Sequence, residues 1–268
     1  MTSESSKLSD EVEDLDPRRS MVAAIVGPTL TLLALVALWE FLARWSGIPS
    51  WLLPAPSAII DSMIEWRGEL TWHSMVTLYE VLVGFALSIV VSIPLAVAVV
   101  YSPFLQNTIY PILLALQSMP KVAIAPLLVL WIGFGALPKI LVVFLVCFFP
   151  IVVATASGLS SVPPALIDLI RSLSATLTQT FVKIRFPTAI PHIFVGLKIA
   201  ITFAVIGGVI GEFVGSDEGL GYLILISTSQ SRTPLAFGAL LLLTIMSIVL
   251  YYAVEFIERL VVPWAPKN

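Results

Sequence analysis

Residues 81–120 read VLVGFALSIVVSIPLAVAVVYSPFLQNTIYPILLALQSMP, forty positions without a single Asp, Glu, Lys, Arg or His. An α-helix rises about 1.5 Å per residue, so about 20 apolar residues cross the roughly 30 Å hydrocarbon layer of a bilayer. Forty are too many for one crossing. The polar break at Ser102-Pro103 and Gln106-Asn107 divides the run into two spans joined by a short turn. The second of these runs from about Ile109 towards Trp131, with Lys121 inside it.

Composition carries the same reading to the whole chain. Of its 268 residues, 58% are hydrophobic and 12% charged, about half the charge of an ordinary soluble domain. Such a chain cannot cover a water-facing surface, so its side chains must face lipid or one another. Residues 21–38, extending to Ala43, form a first span. Residues 44–72, with Pro49, Trp51, Pro54, Pro56 and Trp66, fit a loop carrying a short helix at the membrane surface, where Trp is favoured. Gly133, Gly135 and Pro138 mark a turn before a fourth span at 140–156; a fifth covers 193–214 and a sixth 235–255. The expected fold is therefore an all-α membrane protein of about six transmembrane helices.

Basic residues orient it. With the N-terminus in the cytoplasm, nine of them (Lys7, Arg18, Arg19, Arg171, Lys183, Arg185, Lys198, Arg259, Lys267) fall inside. Four (Arg44, Arg67, Lys139, Arg232) fall outside. Both termini are then expected in the cytoplasm. Residues 1–20 are an acidic, Ser-rich segment read as a disordered cytoplasmic tail, residues 21–264 the transmembrane domain, and 265–268 a short C-terminal tail.

The interval 157–192 is too polar and too long for a turn, and this orientation makes it cytoplasmic. Pro163 and Pro164 suit the first turn of a helix, Asp168 lies near its positive end, and Leu166, Ile170 and Leu173 fall on one apolar face. Ser174-Ala175-Thr176 is a break, residues 177–184 can form a second short helix, and Pro187 and Pro191 close the interval before the next span. Two short helices between two spans can form a lever that meets a partner, or a loop resting on the membrane surface.

The residues Asp168-Leu169-Ile170, then Ser174, then Ile184-Arg185-Phe186-Pro187 resemble the signature of ABC importer permeases: Glu-Ala-Ala, three residues, Gly, nine residues, Ile-x-Leu-Pro. Segments 117–127 (QSMPKVAIAPL), 131–135 (WIGFG), 148–150 (FFP), 211–214 (GEFV) and 219–222 (GLGY) resemble the nitrate/sulfonate/taurine branch of that family. The resemblance covers residues 20 to 264. It implies a type I importer permease working as a homodimer in the bacterial inner membrane. Each copy would rest a two-helix coupling segment on an ABC ATP-binding subunit through Leu166, Asp168, Leu169, Ile170, Arg171, Ser174, Ile184 and Pro187. That partner would bind ATP and Mg, and an extracytoplasmic solute-binding protein would deliver the solute. The branch spans nitrate, sulfonates, taurine, aromatic acids and heterocyclic vitamin precursors.

Ser174 departs from the pattern, which has glycine there. Glycine would permit positive φ, whereas serine adopts it with strain. The expectation is negative φ at Ser174, with its hydroxyl bonded to nearby backbone as in a helix cap.

Two charges, Lys121 and Glu212, fall inside apolar spans, where each costs about 2.5–3.5 kcal/mol on insertion scales unless it meets a cavity or a partner. They read as lining a translocation path or gate with Gln117 and Met119. The alternatives are a snorkelling stem for Lys121 and a structural bond at a helix end for Glu212. His73 and His192 are far apart, no nucleophile-and-base set occurs, and there is no phosphate-binding Gly-x-x-x-x-Gly-Lys-Ser/Thr loop. The lone Cys147 has no companion ligand for a metal. No catalytic residue, resident cofactor or nucleic-acid partner is expected. A secondary transporter or channel is the competing reading, although no internal repeat supports it.

Overall fold

A computed structural model of the chain describes residues 17–264, with side chains from Val26 onward. The acidic residues 1–16 and the C-terminal 265–268, both expected as tails, lie outside the described residues. Ten helices follow in order: α1 (Pro17–Trp45), α2 (Pro56–Glu65), α3 (Arg67–Tyr101), α4 (Leu105–Gln117), α5 (Lys121–Ile132), α6 (Ala136–Ser160), α7 (Pro164–Ser172), α8 (Leu177–Gly215), α9 (Leu220–Ser229) and α10 (Thr233–Val261). No strand occurs among the described residues.

Five helices (α1 from Val26, α3, α6, α8 and α10) are long and apolar enough to cross a membrane, and the bent pair α4–α5 brings the count to six if its two arms make one span. That pair is not the straight span expected at 109–131. It bends by 88° between Gln117 and Lys121. Pro120 has no N–H and disfavours helical backbone at the residue before it. The last turn of α4 accordingly closes with Ser118 N–H on the Ala115 carbonyl (3.1 Å) and Met119 N–H on the Leu116 carbonyl (3.1 Å).

Two other prolines, Pro111 and Pro187, follow a wide turn and do not end their helices. Phe181–Arg185 is a π-turn, and Phe186 N–H reaches back five residues to the Phe181 carbonyl. The added residue widens the turn, so the Pro187 ring need not strike the carbonyl four positions earlier. α8 therefore runs on through Pro187 and Pro191, which were expected to terminate the interval. Leu105–Ile109 does the same for Pro111, with Tyr110 N–H on the Leu105 carbonyl.

The core lies where α6 packs between α3 and α8. Val81 and Phe85 from α3 meet Val143, Cys147 and Ile151 from α6, and Ala200, Ile201 and Ala204 from α8. Two glycines let the backbones approach. A Cβ on Gly84 would stand 2.6 Å from Val143 Cβ and 2.8 Å from the Ile140 carbonyl; one on Gly196 would stand 2.5 Å from Ala154 Cβ. Small residues at such crossings give membrane helices the van der Waals contact that a hydrophobic effect cannot supply in lipid. Ser92 Oγ adds a hydroxyl bond from α3 to the Phe148 carbonyl of α6 (3.2 Å).

α1 stands apart from this core, its most apolar stretch unburied. It is tied at one end, where Glu40 accepts from Ser57 N–H (3.0 Å), Ser57 Oγ (2.8 Å) and Arg44 Nε (2.5 Å) in the first turn of α2.

Candidate functional site

α7 begins with Pro163 and Pro164, as the sequence indicates, and projects from the end of the bundle formed by Tyr101, Ser160 and the start of α8. Its helix starts at Pro164, so Asp168 lies beyond the first turn, past the reach of the helix dipole, and instead faces Arg171 at 3.7 Å. Both side chains are exposed. The apolar face expected at Leu166, Ile170 and Leu173 divides in two. Ile170 turns inward and is 9% exposed, while Leu166 (38%), Leu169 (57%) and Leu173 (74%) point out. Leu177, the first residue of α8, extends this surface at 77% exposure. Apolar residues at 166, 167, 169, 170 and 173 occupy both sides of so short a helix, and periodicity alone does not say which side is inside.

The break between α7 and α8 overturns the expectation for Ser174. Its φ is +56°, and its hydroxyl makes no hydrogen bond among the described residues. The backbone explains why. Ala175 N–H bonds the Ile170 carbonyl (3.3 Å) and Ser174 N–H the Arg171 carbonyl (2.9 Å), the paired bonds that close a helix through a left-handed residue. Serine thus occupies a glycine position with a left-handed backbone and nothing to offset the strain. Ser174→Gly should stabilise the turn by about 1 kcal/mol, read as slower amide exchange at Ala175 and Leu173. Faster exchange would show that the turn gains more from serine than it loses.

The start of α8 is then fixed by a reciprocal cap that the sequence reading did not recognise. Thr176 Oγ1 accepts Gln179 N–H (3.2 Å), and Gln179 Oε1 accepts Thr176 N–H (2.8 Å). Tyr101, the last residue of α3, anchors this elbow to the bundle: its ring meets Phe181 edge-on at 5.7 Å, with the Arg185 guanidinium 5.4 Å from its centre. Ile184 and Pro187 lie on α8 and are half-buried, so the exposed face of the lever comes from α7 and Leu177.

The path candidates separate into two places. Gln117, Met119 and Lys121 come together at the bend of α4–α5. There Lys121 Nζ donates to the Gln117 carbonyl (2.7 Å) and stands 5.0 Å from the centre of the Phe149 ring. Glu212 is elsewhere, 1% exposed, at the far end of the bundle from the lever. Its Oε1 accepts from Thr77 Oγ1 (2.6 Å) and its Oε2 from Gly221 N–H (2.5 Å). Thr77 Oγ1 in turn accepts Leu220 N–H (2.8 Å), and His73 Nδ1 accepts Gly219 N–H (2.9 Å). Three side chains from α3 and α8 thus hold three successive N–H groups at the start of α9, groups that a helix leaves unpartnered. Gly219, at φ +107°, leaves room for the carboxylate.

Beside this clamp lies a buried ion pair, Glu80 with Lys139, 1% and 4% exposed. Lys139 Nζ also donates to Ser216 Oγ (2.9 Å). The sequence reading placed Lys139 among the outer basic residues and began its uncharged run one residue after Glu80. A carboxylate at the mouth of one span and an ammonium at the mouth of another were the signal that went unused. No group of His, Cys, Asp or Glu able to hold a metal ion occurs among the described residues.

The spans, the broken helix and the projecting α7 are those of an integral-membrane protein. The chain belongs to the family of binding-protein-dependent transport system inner membrane components, whose model matches residues 88–265. It is 36% identical to the formylaminopyrimidine transport permease ThiX of Halalkalibacterium halodurans, over 90% of this chain and 96% of that one. It is 34% identical to the riboflavin transport system permease RibX of Chloroflexus aurantiacus, over 89% and 90%. Its fold resembles the inward-facing MetNI methionine ABC transporter, with TM-score 0.62 at 21% identity over 74% of this chain and 98% of that one. This is an ABC importer permease, a multi-pass protein of the inner membrane.

Proposed function

We propose that this chain works as one of two identical halves of an importer, with ATP hydrolysed by a separate ABC subunit that binds ATP and Mg. The observation that carries the reading is the exposed leucine surface of α7. Leu166, Leu169, Leu173 and Leu177 present apolar area on a rigid elbow, which fits a protein partner better than water. A partner that closes on nucleotide would move the elbow, and the capped start of α8 would carry the motion into the bundle.

The excess of basic residues near this end supports a cytoplasmic position for it. The opposite end, with the α9 clamp, then faces the extracytoplasmic solute-binding protein. A cysteine at Leu173 should be labelled only after permeabilisation, and one at Phe134 from outside; the reverse pattern would invert the assignment.

For the solute, the relatives named for formylaminopyrimidine and riboflavin support a nitrogen heteroaromatic compound. A small anion such as nitrate, a sulfonate or taurine is the second reading, favoured by the Lys121 ammonium at the break in α4–α5. Proteoliposomes holding permease, ATPase and binding protein should import radiolabelled aminopyrimidine only when ATP is supplied to the ATPase side. Uptake driven by an ion gradient with the ATPase absent would make the chain a secondary transporter instead.

A further inference from the structure

On the end of the bundle away from α7, Phe134, Phe213 and Tyr222 surround an open cavity of about 410 Å³, completed by Leu225, Ser216 and Asp217. Between the lining residues Asp217 and Tyr222 the chain passes through Gly219, Leu220 and Gly221, whose N–H groups His73, Thr77 and Glu212 hold by hydrogen bonds. Ser216 is fully engaged: its Oγ accepts from Lys139 Nζ and from Glu218 N–H (3.1 Å) and donates to the Glu218 carbonyl. The Phe134 ring lies against Gly215, where a Cβ would meet it at 3.4 Å. Among the described residues the Asp217 carboxylate has no hydrogen-bond or ion-pair partner, and it is exposed at the rim. Phe213 stands on α8 and Tyr222 on α9 directly after the clamped residues, so two of the three aromatic walls are preorganised on helices.

We infer that this cavity is a resting site for the solute on the permease itself, taking a planar nitrogen heteroaromatic ring that bears an amino or ring N–H group. Aromatic side chains stack on any flat π-system. A carboxylate is an acceptor only, so Asp217 requires a donor from the ligand and repels an anion. No lysine or arginine lines the cavity, and the nearby Lys139 is already paired with Glu80. The same walls that receive the ring therefore reject nitrate and sulfonates, which is selectivity by exclusion as well as by contact. The inference rests on the heteroaromatic reading of the solute given above.

The test uses the whole complex in proteoliposomes, with 4-amino-2-methylpyrimidine and riboflavin as ring probes and ethanesulfonate, an anion without a donor, as the control. Phe134 is 83% exposed, so its replacement leaves the bundle intact. Phe134→Ala should raise the concentration for half-maximal uptake of the ring probe about tenfold, the loss of one stacking face, and Phe134→Tyr should restore it. Asp217→Asn should weaken the aminopyrimidine about tenfold and let ethanesulfonate compete, whereas it should not compete in the wild type. Import of a ring probe with half-saturation unchanged in both Phe134→Ala and Asp217→Asn would overturn the cavity assignment alone. Import of ethanesulfonate with neither ring probe carried would overturn the heteroaromatic reading, and the cavity assignment with it.

Discussion

Lys139→Met will destabilise the inserted permease by about 3–5 kcal/mol, because it leaves Glu80 charged and unpaired inside the protein. The double change Glu80→Gln with Lys139→Met should recover most of that loss, since two neutral groups of similar shape need no counter-charge. Cys147 supplies the reporter. It is the single cysteine, fully buried against the Ala200 carbonyl, so its thiol reacts only when the bundle opens. Thiol labelling during thermal unfolding in detergent should show Lys139→Met opening well below the wild type and the double variant close to it. Equal behaviour of all three would mean that the pair carries no stability.

The second large effect is expected at the lever. Leu173→Glu places a charge at a side chain that is 74% exposed in the protomer, so the permease should insert and hold Cys147 closed as before. Transport should fall at least tenfold, because a charge enclosed by the ATPase without a partner costs about 3–5 kcal/mol. Ile170→Glu is the contrast. That residue faces inward, so the charge should open the bundle and expose Cys147. Import at the wild-type rate by a Leu169→Glu, Leu173→Glu double variant would remove α7 from the docking surface.

Helices were legible where the physics is one-dimensional. The uncharged run 81–120 showed two segments of membrane length, and Ser102-Pro103 marked their division, which is where α3 ends. What depends on the third dimension was not legible. The span expected from Ile109 towards Trp131 passes through Pro120 without a break, and the 88° bend found there depends on how α5 packs against α6. Pro187 read as a terminator, since the π-turn that admits it has no composition of its own. On α7 the spacing identified apolar residues without deciding that Ile170 and not Leu169 turns inward. At the other end, Glu212 was visible as a charge out of place, and one reading of it, a bond at a helix end, describes its contacts. Thr77 and His73, the other two members of that clamp, carry no signal in a sequence, because their partners are backbone groups 143 and 146 positions away. Ser174 was flagged as a departure from glycine, yet its sign of φ followed from the hydrogen-bond pattern of the whole turn rather than from the residue.

The π-turn at Phe181–Arg185 has a consequence for how the elbow is set against the span. Successive residues of a helix point about 100° apart, so one surplus residue in a turn offsets everything before it from everything after by that amount. Were the turn to relax to ordinary α-helix, the segment 177–180 would screw about a quarter-turn around the axis, carrying the leucine surface with it. The Pro187 ring opposes that relaxation at a cost of about 3 kcal/mol, because it clashes with the carbonyl that the tighter turn would place beneath it. In the proposed function proline would act as a keyway between two shafts: it fixes the phase angle between lever and span, so torque applied at one would be delivered to the other without slip.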